Sequence, residues 1–405
     1  MDSLITAAAR ALAAGDPVGA LKLVALRNDA SGLALRGIAM AQLGEYPRSR
    51  GLLRSAARAF DSRETVARAR CVVAEAEVAL ASRDLGWKTS QLETARRLLE
   101  SRGDVVNATH ALYLKIQRCI LLGQLQQAEE LLDQVPRALP PALQVAHELI
   151  VAGIGIRRLQ IREARTALAR AERLARLAAI PALTAEVDNT RAALDTPVAR
   201  VASGEEAGLL RLDEVETLFA SNAFIVDACR HEVRRGKKVI PLAKRPVLMM
   251  LVRVLAEAWP RDATRDLLIF RAFRRKVADD SLRARLRVEM GRLRRLLSGV
   301  ADINATSTGF AIAPSRTREV AVLARPTEEK HADVLALLAD GESWSTSALA
   351  LALGSSQRTV QRSLDSLATA GKVQAFGRGR ARRWSTPPVP GFTTMLLLPS
   401  ALPTD

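Results

Sequence analysis

Six arginines between positions 283 and 295, Arg283, Arg285, Arg287, Arg292, Arg294 and Arg295, carry one chemistry at a spacing that suits a helix. A guanidinium is planar, permanently charged and forked, so it pairs with phosphate oxygens or with the two acceptors on a guanine edge. It holds anions and does not shuttle protons. Wound at about 100° per residue, the stretch Asp280–Leu297 puts Leu282, Leu286, Met290, Leu293 and Leu297 on one stripe. Arg283, Arg287 and Arg294 then share an edge of the opposite face, Arg285, Arg292 and Arg295 form a second row, and Ala284, Val288 and Gly291 lie between them. This predicts a basic helix with a dry back, open to a large anion. Taken in isolation, a solvated surface helix fits the pattern equally well.

A second set lies further on. Val360, Leu364 and Leu367 form an apolar stripe, while Arg358, Thr359 and Arg362 point the other way. Ser356 stands where it caps that helix and can donate to a phosphate at its N-terminus. Residues 372–386 predict two short strands around Gly377 and Gly379, with Arg378, Arg380, Arg382 and Arg383 at the turn.

Catalytic patterns are missing. The sequence contains no GxxxxGK[ST], no HExxH, no GxSxG, and no GxGxxG after a strand. His110, His147, His231 and His331 are far from one another in sequence, and Cys71, Cys119 and Cys229 form no CxxC. No metal, cofactor or enzymatic activity is therefore expected.

The chain of 405 residues has a net charge of +17 and an isoelectric point near 10.9. Residues 223–314 hold 20 basic and 9 acidic groups, so the excess surrounds the arginine-rich helix. Nucleic acid is the first partner to consider and an anionic membrane surface the second. Residues 327–386 are closer to balance, with 8 basic and 6 acidic groups, but Glu328, Glu329, Asp333, Asp340 and Glu342 lie away from the helix and turn that carry the bases. Asp2 and Arg10 argue against a signal peptide, and no apolar run approaches the roughly 20 residues that span a bilayer. Three scattered thiols suit a reducing cytoplasm.

The elements that must position these residues follow in order. Residues 1–195 read as successive Ala-rich helices. A small residue followed four positions later by an apolar one recurs at Ala20/Val24, Ser49/Leu53, Ala95/Leu99, Ala128/Leu132 and Ala164/Leu168, with Gly37 allowing close helix packing. That pattern resembles degenerate tetratricopeptide hairpins, and the resemblance implies a surface for a peptide or protein partner. An ordinary helical bundle is the plainer alternative. Residues 196–208, rich in Pro, Gly, Ser and charge, predict a linker.

Within 209–316, strands are expected to turn at Arg230 and at Arg235-Gly236, followed by helices over 246–258, up to Phe273 and over 280–297, then a hairpin over 303–314 around Gly309. This segment resembles the winged-helix domain of OmpR/PhoB-type regulators. By that resemblance 280–297 is the recognition helix, Arg283, Arg285 and Arg287 face the major groove, and Arg292, Arg294 and Arg295 match its basic Leu-Arg-rich end. Thr308-Gly309-Phe310 matches the end of the family's wing, although the usual preceding Arg-Gly is absent.

After a short connection, residues 327–386 resemble the winged helix-turn-helix of DeoR- or MarR-like bacterial regulators. The resemblance assigns DNA contact to Ser356, Arg358, Thr359 and Arg362 on the recognition helix and to Arg378, Arg380 and Arg382 on the wing. The apolar tail, 387–405, holds a candidate strand at 392–398 that packs on its own domain or pairs with a second subunit in a homodimer.

The expected fold is mainly α: a tetratricopeptide-like helical-repeat region, then two winged-helix domains. The expected function is that of a bacterial transcriptional regulator in the cytoplasm, on the nucleoid, bound to double-stranded DNA, with a protein or peptide partner on the repeats and no membrane attachment. The competing expectation is a protein-protein scaffold in which the winged helices are platforms.

Overall fold

The computed structural model describes residues 3–201, 208–273, 279–315, 317, 319–324, 331–338, 343–377, 379 and 382–385. Helices hold 64% of these, so the chain is mainly α. It divides into two compact units, Met1–Ala193 with His331–Asp405, and Leu194–Lys330.

The first unit begins with a run of helices: α1 (Ser3–Ala13), α2 (Pro17–Val24), α3 (Ala30–Gln42), α4 (Tyr46–Ala59), α5 (Thr65–Ala81), α6 (Thr89–Ser101), α7 (Val105–Leu121), α8 (Leu125–Leu132), α9 (Pro141–Arg158), α10 (Ile161–Ala178) and α11 (Pro181–Asp195). From α1 to α10 each helix packs on the next, and the alternate helices α1, α3, α5, α7 and α9 also touch in sequence. The small residues singled out by spacing, Ala20, Ser49, Ala95, Ala128 and Ala164, are all buried where helices cross. Gly37 shows why they must be small: a Cβ there would lie 2.8 Å from Leu53 Cγ. Local chemistry sets the ends. Asp16, Asp29 and Asp104 cap α2, α3 and α7 by accepting from backbone N–H groups, and Gly44, at φ +80°, turns the chain from α3 into α4.

The second unit contains β1 (Ala199–Val201), β2 (Leu209–Leu210), α12 (Leu212–Ala220), β3 (Phe224–Asp227), β4 (Glu232–Arg235), β5 (Lys238–Pro241), α13 (Pro246–Ala258), β6 (Ala263–Thr264), α14 (Arg265–Phe273), α15 (Asp280–Leu297), β7 (Ala301–Ala305), β8 (Gly309–Pro314) and β9 (Val320–Ala324). One sheet has the order β2-β1-β9-β3-β4-β5 and the other β6-β8-β7. α13 and α15 bury Leu251, Val252, Leu255, Leu286, Met290, Leu293 and Leu297 in one core with strand residues Phe224, Val226, Val233 and Val322.

Two expectations need correction here. Part of the predicted linker at 196–208 is strand β1, and the stretch taken as a short connection after 316 contains β9. β9 inserts between β1 and β3, antiparallel to one and parallel to the other, with Phe224 opposite Val320. Ala321, Val322, Leu323 and Ala324 are buried. An apolar run this short has no period to reveal it; only its partners, about a hundred residues earlier, make it a strand. The second unit therefore extends beyond the expected 209–316 at both ends.

The β7–β8 turn is tied down. Arg265 donates to the carbonyls of Ser307 (2.8 Å) and Thr306 (3.0 Å), and Asp262 accepts from the hydroxyls of Thr306 and Thr308. Those two hydrogen bonds hold the Asp262 carboxyl below its ordinary range. Gly309 follows the turn, where a Cβ would lie 1.8 Å from the carbonyl oxygen of Ala263. Backbone cannot yield as a flexible side chain does. Gly309→Ala should therefore cost about 3 kcal/mol, read as a fall in the urea midpoint of the second unit; a loss below about 1 kcal/mol would show that β6 moves aside freely.

The chain then returns to the first unit with α16 (Ala332–Leu338), α17 (Thr346–Ala352), α18 (Gln357–Thr369), β10 (Gln374–Phe376) and β11 (Arg383–Ser385). The expected free-standing domain at 327–386 is instead part of a larger body. Val334, Leu338, Trp344, Leu349, Val360, Leu364, Leu367 and Trp384 belong to the same buried cluster as Ala69, Val73, Leu80, Leu92, Leu99 and Leu114 of α5, α6 and α7. So few small helices cannot cover two tryptophans alone, and the helical array supplies the rest of the core.

Candidate nucleic-acid interface

On α15 the chain's periodicity becomes a surface. Leu286, Met290, Leu293 and Leu297 are buried, whereas Arg283, Arg285, Arg287, Arg292, Arg294 and Arg295 are all exposed. The helix starts at Asp279, which accepts from Leu282 N at 2.7 Å, one residue earlier than the Asp280 or Ser281 cap suggested by the sequence.

The six arginines are not equivalent. Arg294 Nε donates to the Ile303 carbonyl at 2.8 Å and its guanidinium faces Phe310 at 5.8 Å, so this side chain braces α15 against the β7–β8 hairpin. Arg285 lies over Phe273 at 4.6 Å. Arg283 forms an exposed pair with Asp280 (3.5 Å), worth well under about 1 kcal/mol and readily exchanged for a stronger anion, whereas Arg292 pairs at 2.9 Å with Glu289, whose side chain is half-buried. Among the described residues, Arg287 and Arg295 have no carboxylate partner. Val288, 55% exposed, lies on the same face.

A cleft of about 610 Å³ separates the start of α13 from the C-terminal half of α15 and is lined by Arg245, Arg292, Arg295 and Glu289. α13 opens on Pro246 with no side-chain cap, which leaves N–H groups and the positive end of the helix dipole at this cleft. Guanidinium groups and free backbone N–H groups that meet in one cleft are donors of the kind that hold a phosphate, with Glu289 the one carboxylate among the lining residues. Arg245 was not singled out from the sequence; only the fold brings it beside α15.

The second set is on the first unit. Ser356 Oγ accepts from Thr359 N at 3.1 Å, so its oxygen caps α18 as expected. Arg358, Thr359 and Arg362 are exposed on the side away from Val360, Leu364 and Leu367, and among the described residues neither arginine has a carboxylate partner. Arg382 is exposed and lies 4.3 Å from the Trp384 ring centre. Arg378 and Arg380 lie outside the described residues, as does the tail strand expected at 392–398.

What seats this second set was not read from the sequence. Trp344 and Trp384 exchange backbone hydrogen bonds of 2.8 Å, and the Trp384 indole donates to Thr346 Oγ1 at 3.2 Å. Arg383 Nε donates to the Ser82 carbonyl and Arg83 covers the Trp344 ring at 5.6 Å. Burial at this seam pulls the Arg383 guanidinium below its ordinary value. The one available signal was composition: two of four tryptophans, in a chain with 3% aromatic residues, fall in this short segment.

Among the described residues no group of His, Cys, Asp or Glu is placed to hold a metal ion, and no helix is long and apolar enough to cross a membrane. Cys71, Cys119 and Cys229 are free thiols. What the two surfaces can do chemically is bind anionic groups spaced along a helix-sized ridge. No protein-family model, no curated protein and no solved structure matches this chain.

Proposed function

We propose that the chain is a DNA-binding transcriptional regulator that contacts duplex DNA through two winged-helix domains, one in each unit, and uses its tetratricopeptide-like helical repeats for a protein partner. The observation that carries this reading is α15: one face is wholly committed to the core, and the other presents guanidinium groups on both margins of a ridge with small and apolar residues along its middle. An α-helix of that profile fits the major groove, with Arg287 free for a base edge and Val288 beside it for a thymine methyl. Arg292, Arg295 and Arg245 suit the backbone. α18 offers the same arrangement on a smaller scale through Arg358, Thr359 and Arg362. Two readers joined in one chain raise each other's effective concentration on adjacent sites.

The scaffold reading has one observation in its favour, the shared core that joins residues 331–385 to α5, α6 and α7. Yet that seam uses the tryptophan side of the module and leaves the arginine face of α18 exposed, which is what a reader requires.

The test is fluorescence anisotropy of the full chain on random-sequence duplex from about 50 to 300 mM salt, where phosphate-driven binding falls by several log units per log of salt. Absence of binding at the lowest salt overturns the proposal. On a selected operator, Arg287→Ala and Arg362→Ala should each cost about 1–3 kcal/mol of affinity. Arg294→Ala should act differently, loosening the hairpin and lowering stability before it affects base preference.

A further inference from the structure

A further basic surface lies in the first unit, on helices α4, α5 and α6. A groove of about 880 Å³ runs between α4, α5 and the start of α6. Its rim carries Arg50, Arg54, Arg58, Arg68 and Lys88 against one carboxylate, Glu75. Glu75 is engaged by Arg54 at 2.6 Å, and Arg50 is engaged by Asp84 at 2.7 Å. Arg58, Arg68 and Lys88 are exposed and have no carboxylate partner among the described residues. The floor is apolar: Ala69, Val72 and Leu98 line it together with Trp87, whose ring is backed by Arg118 at 5.7 Å.

We propose that this groove binds an acidic segment of a partner protein that also carries bulky apolar side chains. The claim rests on the reading of the helical array as a partner surface and adds the partner's chemistry. Charge selects acidity, because three unneutralised cations along one rim attract carboxylates, repel a basic chain and give a neutral one no comparable gain. The floor selects apolar side chains, which leave water over Val72 and Trp87. Size selects a chain in preference to a duplex: the volume lies in the range of roughly 300–1,000 Å³ that encloses a small ligand or a few residues. A rigid double helix keeps its phosphates on a convex cylinder and reaches only the rim.

The experiment uses the full chain and a fluorescein-labelled dodecapeptide of Asp, Glu and Leu, with an Asn, Gln and Leu peptide and an Asp, Glu and Ala peptide as controls. The acidic Leu peptide should bind, both controls should bind more weakly, and the triple variant Arg58→Glu, Arg68→Glu, Lys88→Glu should weaken binding at least about tenfold. Should that variant melt early, Arg58→Gln with Lys88→Gln removes charge without reversal and should still weaken the peptide. Duplex DNA binding should be unaffected by either. Equal binding of the amide peptide, or unchanged affinity in both variants, overturns the proposal. So does a single-stranded oligonucleotide that displaces the peptide and is itself lost in the variants, since the groove then belongs to nucleic acid. Failure of the DNA reading appears separately, as absent duplex binding by a wild-type chain that still takes the peptide.

Discussion

Replacing Trp384 by alanine should lower the unfolding free energy of the first unit by about 3–5 kcal/mol. The indole is fully buried, in the core that α16, α17 and α18 share with α5, α6 and α7. Its removal leaves a cavity, strips Thr346 Oγ1 of its indole donor and exposes the seam where Arg383 meets the Ser82 carbonyl. Because one core serves both parts, residues 331–385 and the helical array should melt in a single transition that shifts as a whole. A urea titration followed by far-UV circular dichroism checks this. A change under about 1 kcal/mol, or a separate early transition of the C-terminal helices with the array unmoved, would mean that the module is merely laid on its support.

Glu77→Ala should be nearly as damaging, at about 3–5 kcal/mol near pH 6, and its cost should depend on pH. Glu77 on α5 and His110 on α7 are both buried, and His110 Nε2 meets Glu77 Oε2 at 2.8 Å. Burial works against a charged imidazole, but the Glu77 charge and hydrogen bond outweigh it and raise His110 above its ordinary 6.5. A raised value means that the folded state holds the proton more tightly than the unfolded state does. The contribution is therefore complete below about pH 6.5 and disappears as pH rises through the folded value. The gap between wild type and Glu77→Ala should narrow from pH 6 to pH 9, and Glu77→Gln, which keeps the size and a hydrogen bond, should retain most of its stability at the upper end. A gap that is constant across this range would show that the imidazole of His110 does not change its charge there, and would overturn the expected pH dependence.

These two effects bear on function through position. The pair lies in the helical layer whose apolar residues also support Trp344, Leu349 and Leu364. Whatever weakens that layer should loosen the seat of α18 while leaving the arginine face of α15, in the other unit, unchanged. Duplex-binding measurements on Glu77→Ala at low temperature, where the chain remains folded, distinguish the contributions of the two proposed readers.

Local pattern carried much of the chain. The apolar stripe of α15, the Pro246 start of α13, the turn at Arg235-Gly236, the Ser356 cap and the small residues of the hairpins are statements about neighbours within a few positions, and such neighbours fix helix ends and buried faces before any tertiary contact forms. Exposure of Arg287, Arg358 and Arg362 followed from the same periodicity. Tertiary structure decided which cations are spare. Arg294 has the same helical spacing as Arg287, but its Nε–H is donated to the Ile303 carbonyl on β7. It also made β9 a central strand, brought Arg245 to α15, paired His110 with Glu77, and set the tryptophans of residues 331–385 into α5, α6 and α7. Each of these joins residues separated by nine to several hundred positions. Their partners are chosen by burial and by the demand that buried polar groups be paired, and neither condition leaves a period in the chain that could be read beforehand.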